Sequence, residues 1–90
     1  MPGRLFFKET REELICQSID VSNYNLGIVT SKEIAPGILL TLVLANEEID
    51  LQVVWVQDSF GIALQFRCGL LVVDEAKDLK AIFLESGFLK

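Results

Sequence analysis

Residues 49–55 read IDLQVVW, and the alternation in this stretch decides the fold. Every second position carries a large apolar side chain: Ile49, Leu51, Val53 and Trp55. Polar side chains begin the opposite row. Alternation with a period of two is typical of a β-strand with one buried face. The sequence therefore predicts a strand here with Trp55 in its buried row, and base stacking is the alternative role for that indole.

Five further segments on either side of this stretch are predicted as strands. They are short, rich in apolar residues and separated by turn signals, and they cover residues 4–7, 14–19, 26–30, 38–44 and 60–67. Short strands with regularly spaced turns are typical of a β-barrel or a β-sandwich. Six strands around one core favour closure or two layers, since open sheet edges promote aggregation.

The spacing of apolar residues changes after Gly69. Apolar side chains now recur at helical intervals, at Val72, Ala76, Leu79 and Phe83. This pattern predicts one amphipathic helix over about residues 73–86, with Asp74 as N-cap and Gly87 at its end. We expect its apolar stripe to pack on the strands, and a partner helix or a membrane surface is the alternative. The predicted fold is thus one all-β domain, residues 1–90, with strands over about 4–67 and a C-terminal α-helix.

The composition predicts exposed apolar side chains and a net negative charge at the surface. Apolar residues make up 51% of the 90, and a chain this short has little interior in which to bury them. We expect an exposed apolar patch that binds a protein partner or a second copy, the alternative being scattered surface side chains. The net charge of −5 disfavours binding to nucleic acid polymers and to anionic lipid.

Neither a membrane span nor a secretory signal is predicted. The longest apolar run, residues 38–44, is interrupted by Thr41 and is far shorter than the ~20 residues that a membrane helix needs. The N-terminus has no apolar signal region, so we expect a cytoplasmic location. In a reducing compartment Cys16 and Cys68 are expected to be reduced, buried thiols, with a disulfide as the minor alternative.

The residues needed by common enzyme mechanisms are missing. The chain has no histidine, which removes the usual general base and the commonest metal ligand. It has no glycine-rich phosphate loop and no zinc-binding pattern. Carboxylates could act as an acid–base pair, but those in this chain mostly lie in predicted turns and strand ends. We therefore expect neither an enzyme nor a bound cofactor or metal.

A series of short motifs gives more specific information about fold and function than the composition does. In chain order they are Asp20-Val21-Ser22, Leu26-Gly27-Ile28, Ile34-Ala35-Pro36-Gly37, Val53-Val54-Trp55-Val56 and Phe60-Gly61-Ile62-Ala63-Leu64-Gln65-Phe66. In order and spacing, over about residues 12–67, they resemble the PilZ family. That resemblance implies a six-stranded antiparallel, split β-barrel with a C-terminal helix. It also implies bacterial signalling by cyclic di-GMP, or an adaptor role in motility and type IV pilus systems.

The resemblance also implies a two-part nucleotide site. One part is an Asp/Asn-x-Ser-x-x-Gly turn, which Asp20, Ser22 and Gly27 match, although five residues rather than three separate Ser22 from the glycine. Asp and Ser also organise turns in the absence of any ligand.

The other part is an Arg-x-x-x-Arg segment ahead of the first strand. Arg4 and Lys8 have its spacing, but the second residue is lysine and both lie in or beside the first predicted strand. Arg11 is a third candidate, in a predicted turn.

The sequence thus favours a PilZ-like adaptor domain that acts through protein contacts, with weak or absent cyclic di-GMP binding. Lysine and a lone arginine do not replace a pair of guanidinium groups that each grip phosphate or guanine with two hydrogen bonds. The alternative is a working cyclic di-GMP receptor that binds its ligand through Arg4, Lys8, Arg11, Asp20, Ser22 and Gly27. A third reading, an oligonucleotide-binding barrel, is disfavoured because such barrels have basic grooves.

Overall fold

The computed structural model describes residues 4–44, 47–59, 65–74 and 77–85. These residues form seven strands and one helix. In chain order they are β1 Arg4–Phe7, β2 Glu13–Leu14, β3 Cys16–Val21, β4 Asn25–Thr30, β5 Leu39–Leu44, β6 Glu47–Ser59, β7 Gln65–Val72 and α1 Leu79–Glu85.

All seven strands belong to one antiparallel sheet in the order β2-β1-β5-β6-β7-β4-β3. β2 and β3 are at opposite ends of this order, yet only Ile15 separates Leu14 from Cys16. Residues two positions apart are at most about 7 Å apart, so the sheet must curl until its two edges meet at Ile15. The Thr30 hydroxyl donates a hydrogen bond of 2.8 Å to the Ile15 carbonyl and holds this corner.

The inward face of the curled sheet forms a single apolar core. Its side chains are those that the period-two pattern places on one face, and each is at most 6% exposed: Leu5, Leu26, Ile28, Leu40, Leu42, Leu44, Ile49, Leu51, Val53, Phe66, Cys68, Leu70 and Val72. The prediction of an all-β, barrel-like domain is therefore confirmed at the level of fold class.

The number of strands differs from the prediction. The segment predicted as one strand over 14–19 is two strands, because the chain leaves β1 at Leu14 and joins β4 from Cys16 onward. β7 extends to Val72 rather than ending at residue 67, and the first part of the predicted strand 60–67, residues 60–64, lies outside the described residues.

The helix begins later than predicted. It starts at Leu79, not near residue 73, because Val72 pairs with Leu51 of β6 and its N–H also bonds to the Tyr24 carbonyl. The N-cap is Asp78 rather than Asp74, since the Asp78 carboxylate accepts a 3.2 Å hydrogen bond from the Ala81 N–H. The helix faces its own core as expected, with Leu79 fully buried. The predicted terminator Gly87 lies outside the described residues.

Two further findings concern the membrane and the cysteines. In the described part of the chain, no helix has the length and apolar character required to cross a membrane. Cys16 is half-buried, Cys68 is buried, and the two are thiols rather than a disulfide. Burial raises the pKa of both, that of Cys16 to about 11, so neither is an activated nucleophile.

Candidate binding surface

A β-bulge in β6 turns Trp55 away from the core. Val53 pairs with Leu70 and Trp55 pairs with the next residue, Gly69, so Val54 is an extra residue without a partner in the ladder. One extra residue inverts the alternation beyond it. Trp55 consequently lies on the outward face and is 46% exposed. The prediction of a buried Trp55 is wrong for this reason.

A second bulge, in β3, acts on Asp20 in the same way. Ser18 pairs with Ile28 and Asp20 pairs with Gly27, which leaves Ile19 as the extra residue. In an unbroken strand Asp20 would share the inward face of Ser18, where a carboxylate would lose its water. The bulge instead places Asp20 on the outward face, exposed to solvent.

Two glycines lie between Trp55 and Asp20 in the row of residues that crosses the sheet. Gly27 of β4 and Gly69 of β7 are direct cross-strand partners. A Cβ atom on Gly69 would collide with the five-membered ring of the Trp55 indole, and a Cβ atom on Gly27 would collide with the Asp20 carboxylate. Glycine within a strand often marks such a close approach. We call the row Trp55–Gly69–Gly27–Asp20, which crosses four strands, the glycine shelf.

Apolar side chains lie around the glycine shelf. Ile19, Val54 and Leu71 are each between 41% and 44% exposed; the first two are the bulged residues, and Leu71 follows Gly69 by two positions on the same face. Other large apolar side chains are exposed elsewhere: Ile15, Tyr24, Leu39 and Val73. Eight large apolar side chains besides those of the core are therefore exposed in the described part of the chain, and four of them, Ile19, Val54, Trp55 and Leu71, belong to the shelf or border it.

Asp20 and Ser22 have different surroundings. In the described part of the chain no donor bonds to the Asp20 carboxylate, so this acceptor is open to a ligand. The Ser22 N–H donates to the Asn25 carbonyl at 2.9 Å and closes the hairpin between β3 and β4. The backbone contact of Ser22 is thus structural. Ser22 is exposed in the hairpin beyond the end of β3 and is not one of the four shelf residues.

The basic candidates lie elsewhere, in a groove of about 420 Å³. It is lined by Lys8, Arg11, Thr41, Glu48, Ile49, Asp50, Val73, Asp74 and Lys77, and we call it the charged groove. Its lining contains three cations and three carboxylates. The two signs therefore balance, which does not favour a strongly anionic ligand.

Each cation of the charged groove faces a carboxylate. Lys8 Nζ lies 2.5 Å from an Asp50 oxygen, and an Arg11 nitrogen lies 3.7 Å from a Glu48 oxygen. Lys77 Nζ donates to Glu47, beside the groove, at 2.8 Å. These contacts tie the turn after β1 and the segment before α1 to strand β6.

The ion pairs also shift pKa values. The hydrogen bond from Lys8 lowers the pKa of Asp50, and the Thr41 hydroxyl, 3.0 Å from the other oxygen, lowers it further. The hydrogen bond to Glu47 raises the pKa of Lys77. Both shifts favour the charged forms, so the ion pairs persist at neutral pH.

The six sequence-predicted site residues are thus not brought together. Lys8 and Arg11 share the charged groove, and Asp20 and Gly27 share the glycine shelf. Arg4 is exposed on β1 opposite Val43 and lines neither. Across the sheet, β5, β6 and β7 separate β1 from β4. Along the chain, Arg11 precedes β2 and Ser22 follows β3, so the two residues lie at opposite ends of the segment that β2 and β3 form.

A second groove, of about 850 Å³, lies between the turn after β1 and the loop before β5. Its apolar lining is Phe7, Ile34, Pro36, Ile38 and Leu39. Lys32 Nζ lies 4.7 Å from the centre of the Phe7 ring and 3.6 Å from a Glu12 oxygen. Both cations that line this groove, Lys8 and Lys32, are paired with carboxylates of the chain, so they offer no open positive charge to a ligand.

Sequence reasoning did not single out Gly69 or the outward position of Trp55. A signal for the bulge was present in Val53-Val54, two consecutive apolar residues that interrupt the alternation. The cross-strand pairing of the glycines had no local signal, because it depends on the register between β4 and β7.

Neither metal binding nor similarity to known proteins assigns a role to these surfaces. Within 4–44, 47–59, 65–74 and 77–85, no three His, Cys, Asp or Glu side chains are grouped so that they could hold a metal ion. No protein-family model, curated protein or solved structure matches the chain. The glycine shelf and the charged groove therefore indicate by their geometry alone which ligands this chain can bind.

Proposed function

We propose that this chain is a non-enzymatic adaptor domain of the PilZ type, which binds a protein partner through the outward face around the glycine shelf and binds cyclic di-GMP weakly or not at all. The observation that carries this proposal is the pairing of Lys8 and Arg11 with Asp50 and Glu48. The order of the sequence motifs and the barrel-like sheet with its terminal helix support the family, and with it a setting in bacterial signalling, motility or pilus function.

Cyclic di-GMP carries two phosphates, and neither surface offers them a suitable set of cations. Tight recognition of phosphate uses guanidinium groups that donate two parallel hydrogen bonds. In the charged groove, a phosphate would have to displace the Asp50 carboxylate from Lys8 and would still be repelled by it. On the glycine shelf the charged group is Asp20, which has the same sign as the ligand, and Arg67 beside the shelf is a single guanidinium rather than a pair.

The outward face around the glycine shelf has the features of a protein-binding surface. Tryptophan is enriched among the residues that dominate protein–protein binding energy, and such residues are surrounded by apolar contacts that exclude water. Trp55 is half-exposed on a sheet, and Val54 and Leu71 beside it are similarly exposed. A partner that covers this face would bury all three.

Calorimetric titration with cyclic di-GMP tests the proposal. We expect no binding heat at ligand concentrations up to about a hundred micromolar, a range in which a receptor with micromolar affinity would be saturated. Micromolar or tighter binding would overturn the proposal, and at least tenfold weakening in both Arg4→Ala and Asp20→Ala would assign that binding to the predicted receptor site. Lys80→Ala, which removes an exposed cation on α1, is the matched control.

Site-specific photo-crosslinking tests the protein contact. A benzophenone side chain at position 71 is expected to form a discrete adduct with a protein from the source cell, and the same group at position 80 is not. The adduct should disappear in Trp55→Asp. An adduct that forms equally from both positions, or that survives Trp55→Asp, would contradict binding through this face.

A further inference from the structure

The glycine shelf holds an aromatic face and a carboxylate at a fixed separation. Gly27 and Gly69 are direct partners, and the Cβ positions of such a pair are about 5 Å apart. The indole of Trp55 lies over one of these positions and the carboxylate of Asp20 over the other. Both groups are exposed, and both sit on strands of the sheet rather than on loops.

A guanidinium group satisfies both parts of the shelf at once. It is planar and cationic, so it can stack on the open face of an indole while its edge N–H groups bond to a carboxylate. A neutral aromatic ring would cover Trp55 but leave the Asp20 carboxylate desolvated without a donor. An anionic group would be repelled by Asp20.

We propose that the glycine shelf seats an arginine side chain presented by the protein partner, with the guanidinium stacked on Trp55 and hydrogen-bonded to Asp20. The proposal rests on the adaptor function above and names the chemistry of its partner. The exposed Ile19, Val54 and Leu71 contact apolar residues next to that arginine and shield the ion pair from water. The net charge of −5 attracts a basic partner surface.

Arg67 provides an internal check on the sign of the interaction. It lies on the same outward face of β7, two residues before Gly69 and opposite Gln57. Its positive charge opposes the approach of a second arginine. Removing this charge should therefore strengthen binding, whereas removing the charge of Asp20 should weaken it.

Intrinsic fluorescence gives a direct readout, because Trp55 is the only tryptophan in the chain. The probe is the peptide acetyl-Leu-Arg-Leu-amide, and its control is the same peptide with citrulline, which keeps the shape of arginine but not its charge. We expect a saturable change in Trp55 emission with the arginine peptide and at least tenfold weaker binding of the citrulline peptide.

Two matched variants complete the test. Asp20→Asn, an exposed and nearly isosteric change, should weaken the arginine peptide at least tenfold and leave the citrulline peptide unchanged. Arg67→Gln should strengthen the arginine peptide. Thermal melts should show that both variants fold. The inference is overturned if the arginine peptide produces no saturable change, if citrulline binds equally well, or if Asp20→Asn has no effect.

The failure of this inference differs from failure of the proposed function. If the chain shows neither arginine selectivity nor cyclic di-GMP binding, only the proposed arginine-binding site is overturned, and the proposed adaptor function stands. Micromolar cyclic di-GMP binding in the calorimetric experiment removes the adaptor, whatever the peptide result.

Discussion

The charged groove and the glycine shelf differ in how much of their chemistry is still available to a ligand. In the groove, Lys8 and Arg11 lie against Asp50 and Glu48, so their charges are offset within the chain. On the shelf, Asp20 has no donor in the described part of the chain, and nearly half of Trp55 is exposed. The groove contains more of the residue types that bind ligands, and the shelf contains more open binding capacity.

This difference teaches that residue type alone is a poor guide to a binding site. Arginine and lysine attract attention in a sequence, but their use depends on partners that lie far along the chain. Lys8 and Asp50 are 42 positions apart. The two bulges have the opposite effect, since they place Asp20 and a tryptophan predicted to be buried on the same outward surface.

The largest expected effect tests whether the bulge builds the shelf. Deleting Val54 removes the extra residue but leaves Trp55 opposite Gly69 and Val56 facing inward, so the domain should fold with a loss of about 1 kcal/mol. Deleting Thr41 from β5, which has no bulge, must turn buried leucines such as Leu40 or Leu42 outward. Each buried leucine contributes about 2–5 kcal/mol, so this variant should not fold cooperatively.

Urea unfolding monitored by circular dichroism and by Trp55 emission measures both deletions. Equal damage from the two deletions, or a buried Trp55 after deletion of Val54, would contradict the bulge.

The next effect distinguishes the two halves of the shelf. Gly69→Ala should displace the Trp55 indole into water, which shifts its emission to the red and lowers the free energy of unfolding by about 1 kcal/mol. Gly27→Ala should cost less and leave the emission unchanged, because the short Asp20 side chain can rotate into solvent. Unchanged emission in Gly69→Ala would show that the indole lies elsewhere.

A smaller effect is expected in the charged groove. The Lys8–Asp50 pair is partly exposed, and pairs of this kind contribute about 0–1 kcal/mol. A double-mutant cycle of Lys8→Ala and Asp50→Asn should give a coupling energy in that range, and added salt should reduce it. A coupling above about 2 kcal/mol, or one that salt does not change, would mean that the groove is more desolvated than the structure shows.

The smallest effect is the pH dependence of stability. The Lys8 hydrogen bond lowers the pKa of Asp50, and the Asn23 amide, 2.8 Å from Asp78, lowers the pKa of that carboxyl. Both carboxyls bind protons less readily in the folded state, so their contribution to stability is present above about pH 4 and is lost as the pH falls through the folded pKa values.

Thermal melts between neutral pH and about pH 3 should show this decline, and it should be shallower in Asp50→Asn. An identical slope in the variant would contradict the role given to Asp50.

Much of the fold could be predicted from the sequence because its signals are local. Alternation located the strands around Leu42 and Leu51, and it identified their inward rows. The start of α1 could not be predicted, because pairing of Val72 with β6 overrides a helical spacing that continues through it. The break at Ile15 could not be predicted either, since it arises because β2 pairs with β1 and β3 pairs with β4.

The candidate site was only partly predictable. Asp20 and Gly27 stand out in a motif and do lie together. Trp55 and Gly69 lie beside them because of the two β-bulges and the register of four strands. No short stretch of sequence encodes that register. Arg4, Lys8 and Arg11 could be identified as cations, but their separation from Asp20 depends on the strand order and on which end of the sheet each residue occupies.

The central claim is that the β6 bulge places the Trp55 indole on the outward face, over Gly69. A nuclear Overhauser experiment on the isotopically labelled chain tests it most directly. We predict cross-peaks between the indole ring protons and the Gly69 Hα protons, with the Hα signals shifted upfield by the ring current. Cross-peaks from the indole to the inward side chains of Leu51 and Leu70, with none to Gly69, would contradict the account.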